Sequence, residues 1–246
     1  MRVILPPSET KSDGGRGAPL DLEALCLPEL NAVRRRLADA LVELSADLDA
    51  SQKALGLGRA QLAEVDRNAE LFLSPTRPAV ERYTGVLYDA LDHRGMTRAS
   101  KTKAADRLMI GSALFGVVAA TDPIPAYRLS GGSRLPGFGT LASVWKPVLS
   151  PALEEIDDFV LDLRSGAYLS LGPIRGAVTA TVVTEQPDGS RKVVSHFNKH
   201  YKGLIARDLV KTRAKVGDVD KLAAVLSDAG HRIEITSPTE ITVVTE

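Results

Sequence analysis

The stretch His196-Phe197-Asn198-Lys199-His200-Tyr201-Lys202-Gly203-Leu204-Ile205-Ala206-Arg207 combines cations with helical spacing. At 100° per residue, Tyr201, Leu204, Ile205 and Leu209 form one apolar stripe. Lys199, Lys202, Arg207 and Arg213 fall on the opposite side, within an arc of roughly 140°. Gly203 and Ala206 lie between the two faces and add almost no bulk. Fixed cations beside small residues suit close approach of a polyanion. The plainer reading is a solvated basic face on a packed helix, the usual place for a charge run.

A second anion-friendly cluster is Tyr127-Arg128-Leu129-Ser130-Gly131-Gly132-Ser133-Arg134. Its arginines, hydroxyls and glycines supply many donors and few acceptors, enough to wrap a phosphate or to hold an acidic side chain. A third feature is Leu55-Gly56-Leu57-Gly58-Arg59, which precedes a helical pattern. Glycines here permit a tight turn, as in a helix-hairpin-helix, where backbone N–H groups at the next helix start can meet a phosphate. An ordinary helix–helix turn has the same composition.

Other chemistries find less support. His196 and His200, four apart, lack a third ligand beyond Asp208 and sit among cations, so no metal site and no cofactor are expected. Glu154, Glu155, Asp157 and Asp158 read as solvated loop charges. Asp162 stands inside the apolar run Phe159–Leu163 and needs a partner if buried; Arg164 is the nearest cation in sequence. No phosphate loop, dinucleotide fingerprint or nucleophile elbow is present.

The 246 residues contain 31 Lys+Arg and 31 Asp+Glu, so any anion site must arise from segregation of charge within a neutral chain. The single cysteine, Cys26, excludes an intrachain disulfide and a cysteine-built zinc cluster. The opening Met1-Arg2-Val3-Ile4-Leu5-Pro6-Pro7 does not read as a signal peptide, and no run reaches membrane-spanning length. A reducing cytoplasm is the expected setting.

Residues 3–5 read as a buried strand stopped by two prolines, and 8–19 as a polar loop. Residues 28–49 carry apolar positions at helical spacing, with Arg34, Arg35 and Arg36 pointing largely outward. Helical patterns recur after Gly58, at 78–91, 141–149 and 221–229, the last ending at Gly230. Residues 108–118 suggest a strand leading into a turn or short helix, and 121–139 an irregular segment. Strands are expected at 159–163, 177–184, 192–197, 233–235 and 241–244, with Pro187-Asp188-Gly189 turning the second into the third. The irregular alternation favours one mixed α/β (α+β) domain over 1–246: a mixed sheet, surrounding helices and a helix-hairpin-helix-like element.

Taken in order, several blocks resemble the YaaA-like peroxide-stress family. Pro7-Ser8-Glu9-Thr10-Lys11 is similar to its Pro-Ala-Lys-Thr loop, and Arg82–Tyr88 to its Gly-x-x-Tyr segment. Ser112-Ala113-Leu114-Phe115-Gly116, then Asp122 and Tyr127-Arg128-Leu129, resemble a further block. Residues 163–168, including Tyr168, and 197–207 match the last two. Glu9 stands where the family has its loop lysine, with Lys11 two residues on. The resemblance implies a compact mixed α/β fold, a helix-hairpin-helix-like element and a positive cleft for duplex DNA. It also implies a cytoplasmic role in limiting iron-driven oxidative damage.

Two functions therefore compete. In one, Lys199, Lys202, Arg207, Arg128, Arg134, Arg59 and the Gly56–Gly58 turn contact double-stranded DNA with little sequence preference; the scarcity of aromatics favours backbone contacts. In the other, Glu9, the Tyr127–Arg128 pair and Lys199 with Lys202 supply the general base, anion clamp and electrostatic stabilisation of an enzyme acting on a nucleotide or other small phosphorylated substrate, with Lys11 and Tyr168 as further cleft residues.

Overall fold

The computed structural model describes residues 1–193 and 197–245. Strand β1 (Arg2–Leu5) ends at Pro6-Pro7, whose missing N–H groups cannot continue a ladder. Three helices follow: α1 (Asn31–Leu44), α2 (Leu48–Leu55) and α3 (Ala63–Ala69). The expected single helix over 28–49 thus divides. The Asp47 carboxylate caps a new N-terminus at Ala50 N–H, and the chain turns at 45–47. A two-residue strand β2 (Arg77–Pro78) leads into α4 (Ala79–Arg82) and α5 (Val86–Leu91), separated at Gly85, whose φ of 99° no helix continues. Then come α6 (Arg98–Arg107), the hairpin β3 (Leu108–Ser112) and β4 (Gly116–Ala119), and the short β5 (Pro123–Ile124). The second half holds α7 (Leu141–Glu154), β6 (Val160–Asp162), α8 (Ala167–Leu171), β7 (Val178–Glu185) and β8 (Arg191–Val193). It closes with α9 (Phe197–Lys211), α10 (Val219–Asp228), β9 (Arg232–Ser237) and β10 (Glu240–Thr245).

The fold is mixed α/β. Eight strands form one sheet in the order β4-β3-β1-β6-β7-β10-β9, with β8 beside the far end of β7. The five inner strands β3, β1, β6, β7 and β10 are parallel, and the antiparallel β4 and β9 close the edges. Buried on both faces, β1 and β3 read as apolar runs without alternation. From β1 the chain goes first to β3 on one side and later to β6 on the other. The carboxyl ends of β1, β3 and β6 therefore open at a point where the strand order reverses, the usual ligand position in open α/β sheets. No described helix is long and apolar enough to cross a membrane.

The expectation that Arg34 faces water is overturned. Arg34 is fully buried, because its guanidinium donates to Phe115 O (3.0 Å), Val117 O (2.9 Å), Leu27 O (3.2 Å) and Asn31 Oδ1 (2.8 Å). These acceptors come from the β3–β4 turn, edge strand β4, the segment before α1 and the first residue of α1. Arg35 and Arg36 are exposed as expected. Val194, Ser195 and His196, part of the expected strand and of the histidine pair, lie outside the described residues.

Candidate functional site

The loop leaving β1 is pinned to the break between α4 and α5. Lys11 bridges Tyr83, Thr84 N–H donates to Thr10 O (3.2 Å), and Ser12 N–H donates to Arg82 O (2.8 Å). This buries the Lys11 side chain. Its ammonium donates to Ser8 O (3.1 Å) and lies 4.2 Å from the Tyr127 ring centroid and 5.3 Å from that of Tyr83. Below it runs a buried hydroxyl chain: Tyr127 Oη meets Tyr83 Oη at 2.8 Å and Ser112 Oγ, at the end of β3, at 2.7 Å. Desolvation raises the Tyr83 phenol to about 12 and Tyr127 well above its ordinary range, so both stay neutral hydrogen-bonding groups.

Burial lowers the Lys11 amine from 10.5 to about 7, with Glu9 opposing and Arg128 reinforcing the shift. Between these two values the unfolded chain holds a proton that the folded protein has released, so stability rises with pH across that window. Lys202, lowered to about 8 by desolvation, acts in the same direction. Lys11→Met is therefore expected to flatten the rise in urea-unfolding free energy between pH 7 and 9 by about 1 kcal/mol or more. An unchanged slope would place the Lys11 amine in contact with water.

Glu9 points to the other side of the loop. Its Oε1 accepts from the Tyr168 hydroxyl (2.9 Å), and its Oε2 lies 3.7 Å from Arg128 Nη1. The Arg128 backbone is clamped by buried Asn68 of α3, which accepts from Arg128 N–H (2.7 Å) and donates to Arg128 O (2.9 Å). Further along, Ser130 and Ser133 close a turn on themselves, hydroxyl to hydroxyl at 2.9 Å, so these hydroxyls serve the loop. Arg134 N–H reaches Ala54 O (3.4 Å), tying the loop to the end of α2.

Between α2 and residues 128–136 lies an open cleft of about 880 Å³. Lys53, Arg128 and Arg134 line it with Gly56, and Glu9 is the one carboxylate among its described lining residues. Glu9, Arg128, Arg134 and Gly56 thus converge as a group. Tyr168 braces Glu9, while Lys11 and Tyr127 sit behind the same loop. Lys53 was not anticipated; its only signal is a cation in the last turn before Gly56.

The turn after α2 is a left-handed cap at Gly56 (φ 63°), followed by a short 3-10 turn over Arg59–Gln61 and then α3. Its N–H groups are already engaged: those of Gly56 and Leu57 donate to Gln52 O, and that of Gly58 to Gln61 Oε1 (3.1 Å). A phosphate there would meet the exposed Arg59 side chain ahead of those three donors.

The basic helix requires two corrections. Lys202 does not face solvent: it is buried, and its ammonium donates to Leu163 O (2.8 Å) at the end of β6, where that carbonyl lacks a ladder partner. The bare face at Gly203 is not open either, because α5 lies against it; a Cβ there would overlap Leu87 O and come within 2.8 Å of the Ala90 Cβ. Lys199 is exposed but lines a separate cavity of about 170 Å³ with Ser8 and Thr84, and half-buried Arg207 lines neither cavity. The cations of α9 therefore do not form the continuous row that helical spacing suggests. Among the described residues, no group of three or more His, Cys, Asp or Glu side chains is placed to hold a metal ion.

The family model described as "Peroxide stress protein YaaA" matches residues 1–235. A UPF0246 protein of Corynebacterium efficiens is 48% identical over 239 residues, covering 96% of this chain and 95% of its own. Another from Corynebacterium glutamicum is 46% identical over 238 residues, covering 95% of each chain. One from Streptomyces coelicolor is 45% identical over 245 residues, covering 97% and 94%. Matched over nearly its whole length, the chain belongs to the YaaA peroxide-stress protein family.

Proposed function

We propose that this peroxide-stress family member acts in the cytoplasm by binding the phosphate backbone of double-stranded DNA, with little sequence preference, and so limits iron-driven oxidative damage to it. The supporting observation is the convergence of Lys53, Arg128 and Arg134, from two separate segments, on one open cleft with a single carboxylate. Contacts of this kind position a duplex without reading its bases. The contact surface is centred on the cleft; Lys202 takes no part, and Lys199 contributes only if the duplex reaches the smaller cavity.

Three phosphate contacts predict a loss of affinity of about 40-fold between 50 and 200 mM salt. Gel-shift titration of Lys53→Ala/Arg134→Ala should show binding at least ten-fold weaker than the parent, with the salt slope reduced by about 2. Equal affinity and slope in parent and variant would remove the cleft from the DNA contact.

A second reading, an enzyme acting on a nucleotide or other small phosphorylated substrate, is favoured by one feature of the same cleft. Glu9 is held at its wall by Tyr168, where a carboxylate can take a proton. Loss of turnover in Glu9→Gln with DNA affinity intact is the result this reading requires.

A further inference from the structure

We propose that the wall of the cleft formed by Glu9 and Arg128 is a nucleobase-recognition site, which reads the hydrogen-bonding edge of one unpaired nucleotide whose phosphate is held by Lys53 and Arg134. This rests on the reading of the cleft as the anion-binding surface and adds what else occupies it.

Two buried polar atoms lack hydrogen-bond partners at this wall: Glu9 Oε2, an acceptor, and Arg128 Nε, a donor. Both side chains line the cleft. Orphaned buried groups of opposite type are costly unless a ligand or water completes them. Glu9 Oε2 and Arg128 Nη1 stand 3.7 Å apart. Neighbouring donor and acceptor atoms on a base edge are separated by about 2.3 Å, from amide bond lengths. Arg128 Nη1 already donates to Glu9 O (3.4 Å), so Nε is the donor left over beside Glu9 Oε2, and a carboxylate next to a guanidinium N–H can address both atoms of one edge, as in recognition of splayed-out bases.

The remaining surroundings suit the same ligand. Tyr168 fixes Glu9 through Oε1 and leaves Oε2 for the incoming donor. Leu55 and Pro136 supply apolar surface for a ring face, and the cleft volume is within the range of small-molecule sites. Inorganic phosphate alone would leave the Glu9 acceptor unsatisfied and place like charges together. Glu9, standing where the resemblance expects a lysine, thereby acquires a ligand-facing role.

The test is isothermal titration calorimetry of the full chain with guanosine 5′-monophosphate, adenosine 5′-monophosphate and ribose 5-phosphate. A second arm uses gel shifts with a duplex carrying one unpaired nucleotide beside its fully paired parent. The nucleotides are expected to bind at least ten-fold tighter than ribose 5-phosphate, or the unpaired duplex at least ten-fold tighter than the paired one. The first result identifies a free mononucleotide and the second an extrahelical one. Glu9→Ala should abolish that preference, and Tyr168→Phe should reduce it part-way. Lys53→Ala should weaken nucleotide and ribose 5-phosphate alike. If Glu9→Ala fails to fold, Tyr168→Phe carries the test.

No base preference in either arm, or a preference that survives Glu9→Ala and Tyr168→Phe, overturns the proposal. Base preference without paired-duplex binding sinks the DNA reading and leaves this site standing; paired-duplex binding without base preference does the reverse.

Discussion

Asp162→Ala is expected to destabilise the protein by about 3–5 kcal/mol, the range for removing one partner of a buried ion pair. Asp162 ends β6, and its carboxylate faces the Arg164 guanidinium: Nε donates to Oδ1 at 2.9 Å and Nη2 to Oδ2 at 2.7 Å. Both side chains are almost fully removed from water, at 1% and 0% exposure. The same carboxylate accepts from Arg164 N–H (3.0 Å), and Nη2 also donates to Gly172 O (2.7 Å). Gly111 of β3 makes room for the arginine stem, since a Cβ there would come within 2.8 Å of Arg164 Cδ. Removing the carboxylate leaves a cation in an apolar layer with Nη1 already unpartnered. The melting temperature should fall by about 10 °C. The double variant Asp162→Leu/Arg164→Met should recover most of that loss, because the guanidinium is no longer buried without its carboxylate. Calorimetric melts check both; a single variant melting within about 2 °C of the parent would refute the burial argument.

Gly203→Val is expected to cost about 1–3 kcal/mol or more, with Gly203→Ala smaller but still destabilising. The reason is backbone contact. Leu87 O of α5 occupies the space that any side chain at 203 would need, and a carbonyl cannot rotate away as a flexible side chain does. The urea midpoint of the two variants decides between the two roles of this face. If it met a polyanion, Gly203→Ala would leave the midpoint unchanged and weaken DNA binding. As a helix–helix contact, it lowers the midpoint and leaves the salt slope of DNA binding alone.

The order of strands and helices was largely legible, because apolar periodicity reports which side of an element is buried. The Pro6-Pro7 stop, the Gly230 cap and the turn at 187–189 were readable for the same local reason. Within the site, the cluster at 127–134 and the Glu9–Lys11 loop stood out by residue type alone. Their meeting in one cleft did not, since residues 9, 53, 128 and 168 are far apart in sequence and are brought together by tertiary contacts such as the Asn68 clamp and the Tyr168–Glu9 hydrogen bond.

Charged side chains show most clearly where sequence reading fails. Arg34 and Lys202 look like solvent-facing cations by type and spacing. Each is buried because the fold brings backbone carbonyls to it: Arg34 donates to Phe115 O and Val117 O, Lys202 to Leu163 O, and the likewise buried Arg82 to Ile124 O (3.1 Å) and Pro75 O (3.0 Å). Those acceptors lie far away in sequence, so no local pattern announces them. Helical pitch likewise marks Gly203 as a bare spot but cannot say what fills it.

What the amino-acid order alone determined is therefore the set of elements, their apolar faces and a chain with no net charge. Which cations reach solvent, which brace backbone carbonyls, and which three gather around Glu9 was decided only when parallel strands brought distant loops to one edge. Periodicity is a property of neighbours, whereas the partner of a buried charge is chosen by topology.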